Sequence, residues 1–362
     1  MSPARPFSVM AKPVGSHCNL RCGYCYYLDT PAPVPRMSEA TLARYVEQYI
    51  AGNPGPQVNF VWHGGEPTLA CLDFYRRAVR LQQRFLPAGW ECWNNLQTNG
   101  VLLDDEWCQF LAENRFDVGI SIDGPAWLHD AQRPNARGVG SYSLVVTSIE
   151  RLLRHGIQPD LLCTVTSATA EHGLETYRSL RALNTGWVQF IPIVRRQGGG
   201  VTPDSVGRQA YNRFLIEVFD EWVRRDAGRF TVQLFAETAR TLAGGTPAVC
   251  WLAPECGRAL VVEADGAVYS CDHFVTPDFR LGEITDTPLA DLANSPTQDA
   301  FGAAKADLPR QCRDCPWLRL CNGGCPKDRF AVGDDGEPGF PYLCTAEFFA
   351  HAVPVLLRFL SR

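Results

Sequence analysis

Short apolar segments alternate with amphipathic helical segments from about residue 7 to residue 230, and this alternation constrains the fold more than any other feature. Strand–helix alternation on this scale predicts βα units in a parallel, barrel-like α/β sheet. In such folds the chemistry collects at the carboxyl ends of the strands. The predicted strands span residues 7–12, 58–63, 91–97, 118–122, 160–165 and 187–193.

Helical segments lie between these strands, and the pattern changes near the middle of the chain. The predicted helices span residues 38–52, 72–85, 104–114, 141–155, 173–183, 208–225 and 235–243. Past residue 246, cysteine, glycine and proline become dense and the apolar periodicity fades. We therefore predict two domains, residues 1–240 and residues 241–362. In the second, residues 259–272 are expected to form a β-hairpin and residues 346–359 a closing helix.

Turn-forming and polar residues follow four of the predicted strands. The runs are HGGEP at 63–67, QTNG at 97–100, SIDGP at 121–125 and IPI at 191–193. Each run by itself is typical of a turn. Four such runs at successive strand ends favour a shared site.

Composition excludes several classes of protein. The formal net charge of −5 comes without a basic stripe, so we expect no nucleic-acid partner. No run of 18 apolar residues occurs, so we expect no membrane span. The first residues lack the apolar core of a signal peptide, which predicts a cytoplasmic protein.

The fifteen cysteines are clustered rather than scattered. In a reducing compartment such clusters are more typical of metal or redox sites than of disulfides. Eight of them follow the spacing Cys250-x5-Cys256-x14-Cys271 and Cys312-x2-Cys315-x5-Cys321-x3-Cys325-x18-Cys344. Four thiolates complete either a zinc site or an iron–sulfur cluster. The uneven spacing favours clusters, and so does the Gly-Gly pair before Cys325, whose backbone N–H groups suit inorganic sulfide.

The N-terminal trio, Cys18, Cys22 and Cys25, has the spacing C-x3-C-x2-C. Three thiolates hold three irons of a cubane and leave the fourth iron open. An open iron suits the amine and carboxylate of S-adenosylmethionine (SAM), whose C–S bond one electron can break. The alternative is a zinc site completed by His17.

These motifs resemble those of the radical SAM superfamily. CNLRCGYCYY resembles its cysteine signature, HGGEP its GGE motif, and the C-terminal spacing that of the SPASM domain. The runs MAKPVG, GGEPTL, QTNG, SIDGP, FIPI and CDHFV resemble anaerobic sulfatase-maturating enzymes. The resemblance implies an α/β fold, a partial (β/α)6 TIM-like barrel with a C-terminal Cys-rich SPASM domain that carries two auxiliary clusters.

The resemblance also implies roles for individual residues. Cys18, Cys22 and Cys25 would hold the SAM-cleaving cluster. The SAM contacts would be Gly64, Gly65, Glu66, Asn99, Ser121 and Arg133. The first auxiliary cluster would bind Cys250, Cys256, Cys271 and Cys325, and the second Cys312, Cys315, Cys321 and Cys344. Asp272 would be the general base, with a pKa raised by a partly dry site, while Tyr27 and His63 would contact the substrate.

The implied enzyme oxidises a cysteine or serine side chain of a peptide or protein, such as a sulfatase, to Cα-formylglycine. It would use SAM and three [4Fe–4S] clusters, accept electrons from a flavodoxin or ferredoxin, and act as a monomer. One alternative keeps the chemistry but makes the substrate a ribosomal peptide that gains a crosslink, thioether or epimer. A more remote alternative is a zinc-binding module without catalysis.

Overall fold

The structure is a computed structural model that describes residues 5–29 and 36–360. The strands are β1 Ser8–Ala11, β2 Gln57–Trp62, β3 Glu91–Thr98, β4 Phe116–Ser121, β5 Asp160–Val165, β6 Trp187–Pro192, β7 Arg196–Gln197, β8 Gly200–Val201, β9 Thr231–Val232, β10 Ala259–Val262, β11 Ala267–Tyr269, β12 Arg280–Glu283, β13 Ala331–Val332 and β14 Pro338–Phe340.

The α-helices include all of those predicted from the sequence. They are α1 Glu39–Gly52, α2 Leu72–Phe85, α3 Asp105–Glu113, α4 Ala126–Gln132, α5 Tyr142–Arg154, α6 Ser167–Ala170, α7 Gly173–Arg181, α8 Arg208–Arg225, α9 Gln233–Leu242, α10 Leu289–Ala293, α11 Pro296–Ala303, α12 Arg310–Arg313, α13 Leu318–Cys321 and α14 Ala346–Leu360. Short 3₁₀ helices span Tyr26–Asp29, Pro67–Ala70, Asp272–Phe274, Pro277–Phe279, Ala304–Ala306 and Pro326–Asp328.

The six predicted strands are present, with ends shifted by at most two residues, and the predicted hairpin is present as β10 and β11, which ends three residues earlier than expected. Helix α1 begins where Ser38 caps it by accepting a hydrogen bond from the N–H of Thr41, and Asp104 caps α3 through Trp107. The elements that the sequence did not predict, including α4, α10, α11 and β12, are all short. Their periodicity extends over too few residues to separate them from turns.

The first compact unit comprises Met1–Ser121, Arg133–Pro159 and Gly257–Gly302. Its strands follow the order β12-β11-β10-β1-β2-β3-β4. Strands β10, β1, β2, β3 and β4 run parallel to one another. Strand β11 is antiparallel to β10, and β12 is antiparallel to β11. Strand β1 pairs in register with β10, from Ser8 beside Ala259 to Ala11 beside Val262. Part of the Cys-rich region therefore belongs to the same sheet as the N-terminus, and the domain boundary predicted near residue 240 stays a prediction.

An aromatic core fixes α1 and α2 on the sheet of this unit. The Trp62 ring lies edge-on to Tyr45 and Tyr75, with ring centroids 5.8 and 5.6 Å away. The Trp62 indole N–H donates to Asn94 at 2.8 Å, and Asn94 and Gln82 exchange two hydrogen bonds. The buried polar groups of this core are therefore paired, as burial requires.

The second compact unit comprises Ile122–Gln132, Asp160–Cys256 and Ala303–Arg362. Its parallel strands have the order β5-β6-β9, and α8, α9 and α14 enclose a second aromatic core. In that core the Phe219 ring packs against Phe235 and Phe348, with ring centroids 5.2 and 6.0 Å away. Across the described part of the chain, every helix is too short or too polar to span a bilayer.

Candidate active site

Polar side chains line the carboxyl edge of the parallel strands in the first unit. They are Lys12 after β1, His63 and Glu66 after β2, Asn99 after β3, Ser121 at the end of β4 and Glu263 after β10. Because parallel strands end at the same edge of a sheet, these side chains lie along one edge. The sequence analysis did not select Lys12 or Glu263. The available signal was a charged residue at the end of an apolar run, at residue 12 in the predicted strand 7–12 and at residue 263 in the predicted hairpin.

The loop before the N-terminal cysteines packs its backbone against the Gly-Gly-Glu turn. The N–H of Gly65 donates to the carbonyl of Gly15 at 2.8 Å, and the N–H of Glu66 donates to that of His17 at 2.7 Å. A Cβ on Gly65 would lie 2.1 Å from the His17 carbonyl oxygen. Gly64 has a φ of 113°, which other residues rarely adopt. The two glycines therefore let the cysteine loop approach this turn closely.

The N-terminal trio forms a set of three thiols. Cys18 interacts electrostatically with Cys22 and Cys25, and its sulfur accepts a hydrogen bond from the N–H of Leu20 at 3.4 Å. Burial raises the pKa of Cys18 to about 12. Sulfur donors in threes fit the three protein-held irons of a cubane, so this donor set fits the expected cluster.

The Glu66 carboxylate is fully buried and joins the ends of β2 and β3. One oxygen accepts hydrogen bonds from the N–H and hydroxyl of Thr68 and from the hydroxyl of Thr98, at 3.0, 2.6 and 2.7 Å. The other accepts from the N–H of Asn99 at 2.7 Å. Burial raises the pKa of Glu66 despite these four bonds. A carboxylate has about four acceptor sites, and donors of this chain occupy all of them in Glu66. The contact of this carboxylate with the methionyl amine stays a prediction.

The remaining predicted SAM contacts, Asn99, Ser121 and Arg133, belong to the same unit. The Asn99 amide donates to Asn19 at 2.7 Å, which ties the end of β3 to the cysteine loop. Ser121 is half-buried, and the buried Arg133 guanidinium lies over the Tyr24 ring, 5.3 Å from its centroid. Two of the three therefore contact the cysteine loop, while their contacts with SAM stay predictions.

A buried ammonium joins two carboxylates at the edge of β1 and β10. The Lys12 Nζ lies 2.6 Å from Asp272 Oδ1 and 3.4 Å from Glu263 Oε1, and its side chain is 1% exposed. The same nitrogen lies 3.9 Å from the centre of the Tyr27 ring. Lys12 therefore neutralises part of the charge that the predicted base brings into the site.

The two tyrosines after Cys25 have different partners. The Tyr27 hydroxyl reaches both Glu263 oxygens, at 2.7 and 2.6 Å, and the residue is buried. The Tyr26 hydroxyl donates to Asp272 Oδ2 at 2.9 Å. The predicted substrate contact of Tyr27 stays a prediction, and it is the unselected Tyr26 that contacts the predicted base.

Burial by itself raises the pKa of the Asp272 carboxyl, but Lys12, His63 and His273 together hold that pKa well below its usual range. The expectation of a raised pKa is wrong, because the sequence did not reveal that Lys12 lies beside this carboxyl. Burial also lowers the pKa of His63, whose Nδ1 accepts the N–H of Gly64 at 2.7 Å. The predicted substrate contact of His63 stays a prediction, although the side chain does interact electrostatically with Asp272.

The second unit brings the C-terminal cysteines together in two groups. Cys312 interacts electrostatically with Cys321, Cys344 and Cys315, the set expected for the second auxiliary cluster. Cys250 interacts with both Cys256 and Cys325, three of the four residues expected for the first. The fourth, Cys271, belongs to the first unit, where it interacts with Tyr26. Thiols in these groups fit iron–sulfur ligation.

Two family models match the chain. The radical SAM superfamily model matches residues 13–180, and the SPASM model, described as an iron–sulfur cluster-binding domain, matches residues 250–316. The class is therefore that of radical SAM enzymes with a SPASM domain.

The relatives cover nearly the whole chain. A serine-type anaerobic sulfatase-maturating enzyme of Bacteroides thetaiotaomicron is 40% identical over 98% of this chain and 91% of its own length. A cysteine-type enzyme of Clostridium perfringens is 33% identical over 98% of both. The solved structure of native anSMEcpe with bound AdoMet and the Kp18Cys peptide is 32% identical, covers 99% of both chains and has a TM-score of 0.92.

The chain belongs to the family of anaerobic sulfatase-maturating enzymes. It is a radical SAM oxidoreductase, and the predicted fold class, a partial (β/α)6 TIM-like barrel with a SPASM domain, is confirmed.

Proposed function

We propose that this chain oxidises a cysteine or serine side chain of a sulfatase-type peptide to Cα-formylglycine, with SAM and three [4Fe–4S] clusters as cofactors. The hydrogen bond from Tyr26 to Asp272 carries the proposal. Tyr26 directly follows Cys25 and Asp272 directly follows Cys271, so the bond joins the SAM-cleaving motif to the predicted base. Relatives with this activity cover nearly the whole chain, which supports the same conclusion.

The assignment of ligands follows the resemblance to the family. Cys18, Cys22 and Cys25 would hold the cluster that binds SAM. The first auxiliary cluster would be held by Cys250, Cys256, Cys271 and Cys325, and the second by Cys312, Cys315, Cys321 and Cys344. When bound, these groups supply the abstraction of one hydrogen atom from the substrate Cβ and an acceptor for one electron.

The side chains at the strand edge handle the proton. Asp272 Oδ2 accepts the proton of the substrate thiol or hydroxyl, since Lys12 occupies the other oxygen and keeps the carboxylate ionised. Tyr26 donates to the same Oδ2 and fixes its direction. Glu263, held by Tyr27 and Lys12, stabilises the position of the ammonium.

The test incubates the reduced, cluster-loaded enzyme and SAM with three matched sulfatase-type peptides that carry cysteine, serine or alanine at the target position. We expect loss of two hydrogens from serine. From cysteine we expect the same loss followed by hydrolytic replacement of sulfur by oxygen, and the alanine peptide should not change. Mass spectrometry measures all three. If SAM is cleaved while both reactive peptides stay intact, the substrate assignment is refuted.

We infer further that the chain works as a cytoplasmic monomer and receives electrons from a flavodoxin or ferredoxin. The many thiols, none in a disulfide among the described residues, support a reducing compartment. Sedimentation of the loaded protein tests the monomer, and turnover with flavodoxin in place of dithionite tests the donor. A dimer would refute the monomer, and turnover with dithionite but none with reduced flavodoxin or ferredoxin would refute the donor.

A further inference from the structure

Lysine is rare in this chain, and two of its lysines are fully buried. Of the 34 lysines and arginines, three are lysines, namely Lys12, Lys305 and Lys327. Lys12 and Lys305 have no exposed surface. Most cations of the chain are therefore arginines, while two of its three lysines are buried.

Lys305 is tied to the backbone around Cys250. Its ammonium donates to the carbonyl of Cys250 at 2.5 Å and to the carbonyl of Ala253. It interacts electrostatically with Cys256, Cys250 and Cys325. These are the three cysteines of the second unit that we assign to the first auxiliary cluster.

Arg329 is held by the loop between Cys321 and Cys325. Its guanidinium donates to the carbonyls of Asn322, Gly323 and Gly324 at 2.8, 2.9 and 3.3 Å. These three residues have φ values of 45°, 70° and 65°, so the loop turns its carbonyls toward this side chain. A Cβ on Gly323 would lie 2.9 Å from the guanidinium. The Asn322-Gly323-Gly324 turn thus binds the Arg329 guanidinium through its three backbone carbonyls.

The Arg329 guanidinium interacts with cysteines of both groups. Its partners are Cys312 and Cys321 from one group and Cys256 and Cys325 from the other. The cysteines that interact with Lys305, by contrast, all belong to the group assigned to the first auxiliary cluster. The two cations therefore differ in how many clusters they face.

Neither cation has a carboxylate partner within residues 5–29 and 36–360, since backbone carbonyls take their donors. A charge withdrawn from water is costly unless an opposite charge compensates it. Apart from Arg329, which faces Lys305, the charged or ionisable groups that interact with these cations are thiols. A four-iron cluster with four thiolates is a net anion, which would supply the missing charge.

We propose that Lys305 and Arg329 are the counter-cations of the auxiliary clusters and raise their reduction potentials, an inference that rests on the cluster assignment above. Reduction adds one electron to a cluster, and a nearby fixed positive charge stabilises the more negative form. Lys305 acts on the cluster of Cys250, Cys256 and Cys325. Arg329 acts on both auxiliary clusters.

The experiment measures the potentials of the loaded protein by EPR-monitored titration with dithionite. The N-terminal cluster is distinguished by the change in its signal when SAM is added. At a fixed potential, we expect Lys305→Met to lower the reduced-to-oxidised ratio of one auxiliary cluster about tenfold, or about 59 mV for one electron. Arg329→Gln should lower the ratio of both, and Arg329→Lys should restore it. Arg310→Gln removes a charge whose side chain is 73% exposed, and should change neither ratio.

The outcomes separate this proposal from the function on which it rests. Wild-type protein with about four rather than about twelve irons per chain would refute the cluster assignment itself. Full iron with unchanged potentials in Lys305→Met and Arg329→Gln would overturn the counter-cation role alone. If a neutral variant loses iron, recovery in Lys305→Arg or Arg329→Lys supports the role of charge. Equal loss in these charge-retaining variants overturns it.

Discussion

At the scale of single residues, Lys12 determines how the predicted base behaves. One ammonium lies between the buried Glu263 carboxylate and the half-buried Asp272 carboxylate, yet the two respond differently. Burial raises the pKa of Glu263, and Lys12 and Tyr27 oppose the shift without cancelling it. Asp272 faces Lys12 more closely, together with two histidines, and its pKa falls. The carboxyl that we propose as the base is therefore ionised before a substrate binds.

Replacing Asp272 by Asn removes the proton acceptor and leaves the N-terminal cysteines untouched. We expect formylglycine formation to fall by about 100-fold or more, while SAM cleavage stays within a few-fold of wild type. Mass spectrometry of the peptide and chromatography of 5′-deoxyadenosine measure the two. Asp278→Asn, an exposed carboxylate of the same segment, is the control. An equal loss of both products would indicate a structural role for Asp272.

Gly65→Ala places a methyl group against the backbone of the cysteine loop, since the Cβ would lie 2.1 Å from the His17 oxygen. We expect the loop to shift and the SAM-binding cluster to be lost, with the auxiliary clusters retained. Iron content should fall by about a third, and the EPR change on adding SAM should vanish. Gly23→Ala is the matched control, because a Cβ there meets nothing within 4 Å. Full iron in Gly65→Ala would contradict this account.

At the scale of elements, one buried side chain joins the ends of two neighbouring strands. Glu66 follows β2 and accepts hydrogen bonds from Thr98 and Asn99 at the end of β3. The GGE motif therefore has a structural role, apart from the contact with SAM that stays a prediction. Its glycines admit the cysteine loop, and its carboxylate locks two neighbouring βα connections.

Glu66→Gln keeps the shape of this side chain but places an amide donor among donors. At least one of the four hydrogen bonds must break, and we expect the free energy of unfolding to fall by about 1–3 kcal/mol. Urea unfolding of the cluster-free protein measures it. Glu47→Gln, the same substitution at an exposed position of α1, should cost much less. Stability equal to wild type would show that the carboxylate does not brace the strands.

At the scale of the whole molecule, most of the cysteines assigned to the clusters are half-buried, and Cys312 is buried. Burial raises the pKa of Cys18 to about 12 and the pKa values of Cys312, Cys321 and Cys325 to about 11. These thiols are protonated at neutral pH, although a cluster binds thiolates. Loading therefore releases protons and couples cofactor binding to pH.

We expect cluster loading of the apo-protein to become more favourable from about pH 6.5 to about pH 8.5. The sign follows because each bound thiolate displaces a proton, and a higher pH lowers the cost of that loss. Iron and sulfide per chain, measured with limiting reagents and a competing chelator, check the direction. Preloaded protein moved between the same two pH values controls for cluster stability. Equal loading at both values would contradict the prediction.

The sequence by itself determined the βα alternation, the grouping of the cysteines and the family. Periodicity and spacing are local properties, and neither requires knowledge of which segments meet. Tertiary structure alone decided that β10 pairs with β1, that Tyr26 rather than Tyr27 contacts Asp272, and that Lys12 lowers a pKa expected to rise. Tertiary structure also decided that the backbone carbonyls of the NGG run accept hydrogen bonds from Arg329. These contacts join residues that are distant along the chain or depend on side-chain direction, and burial, which sets their energies, exists only once the chain has folded.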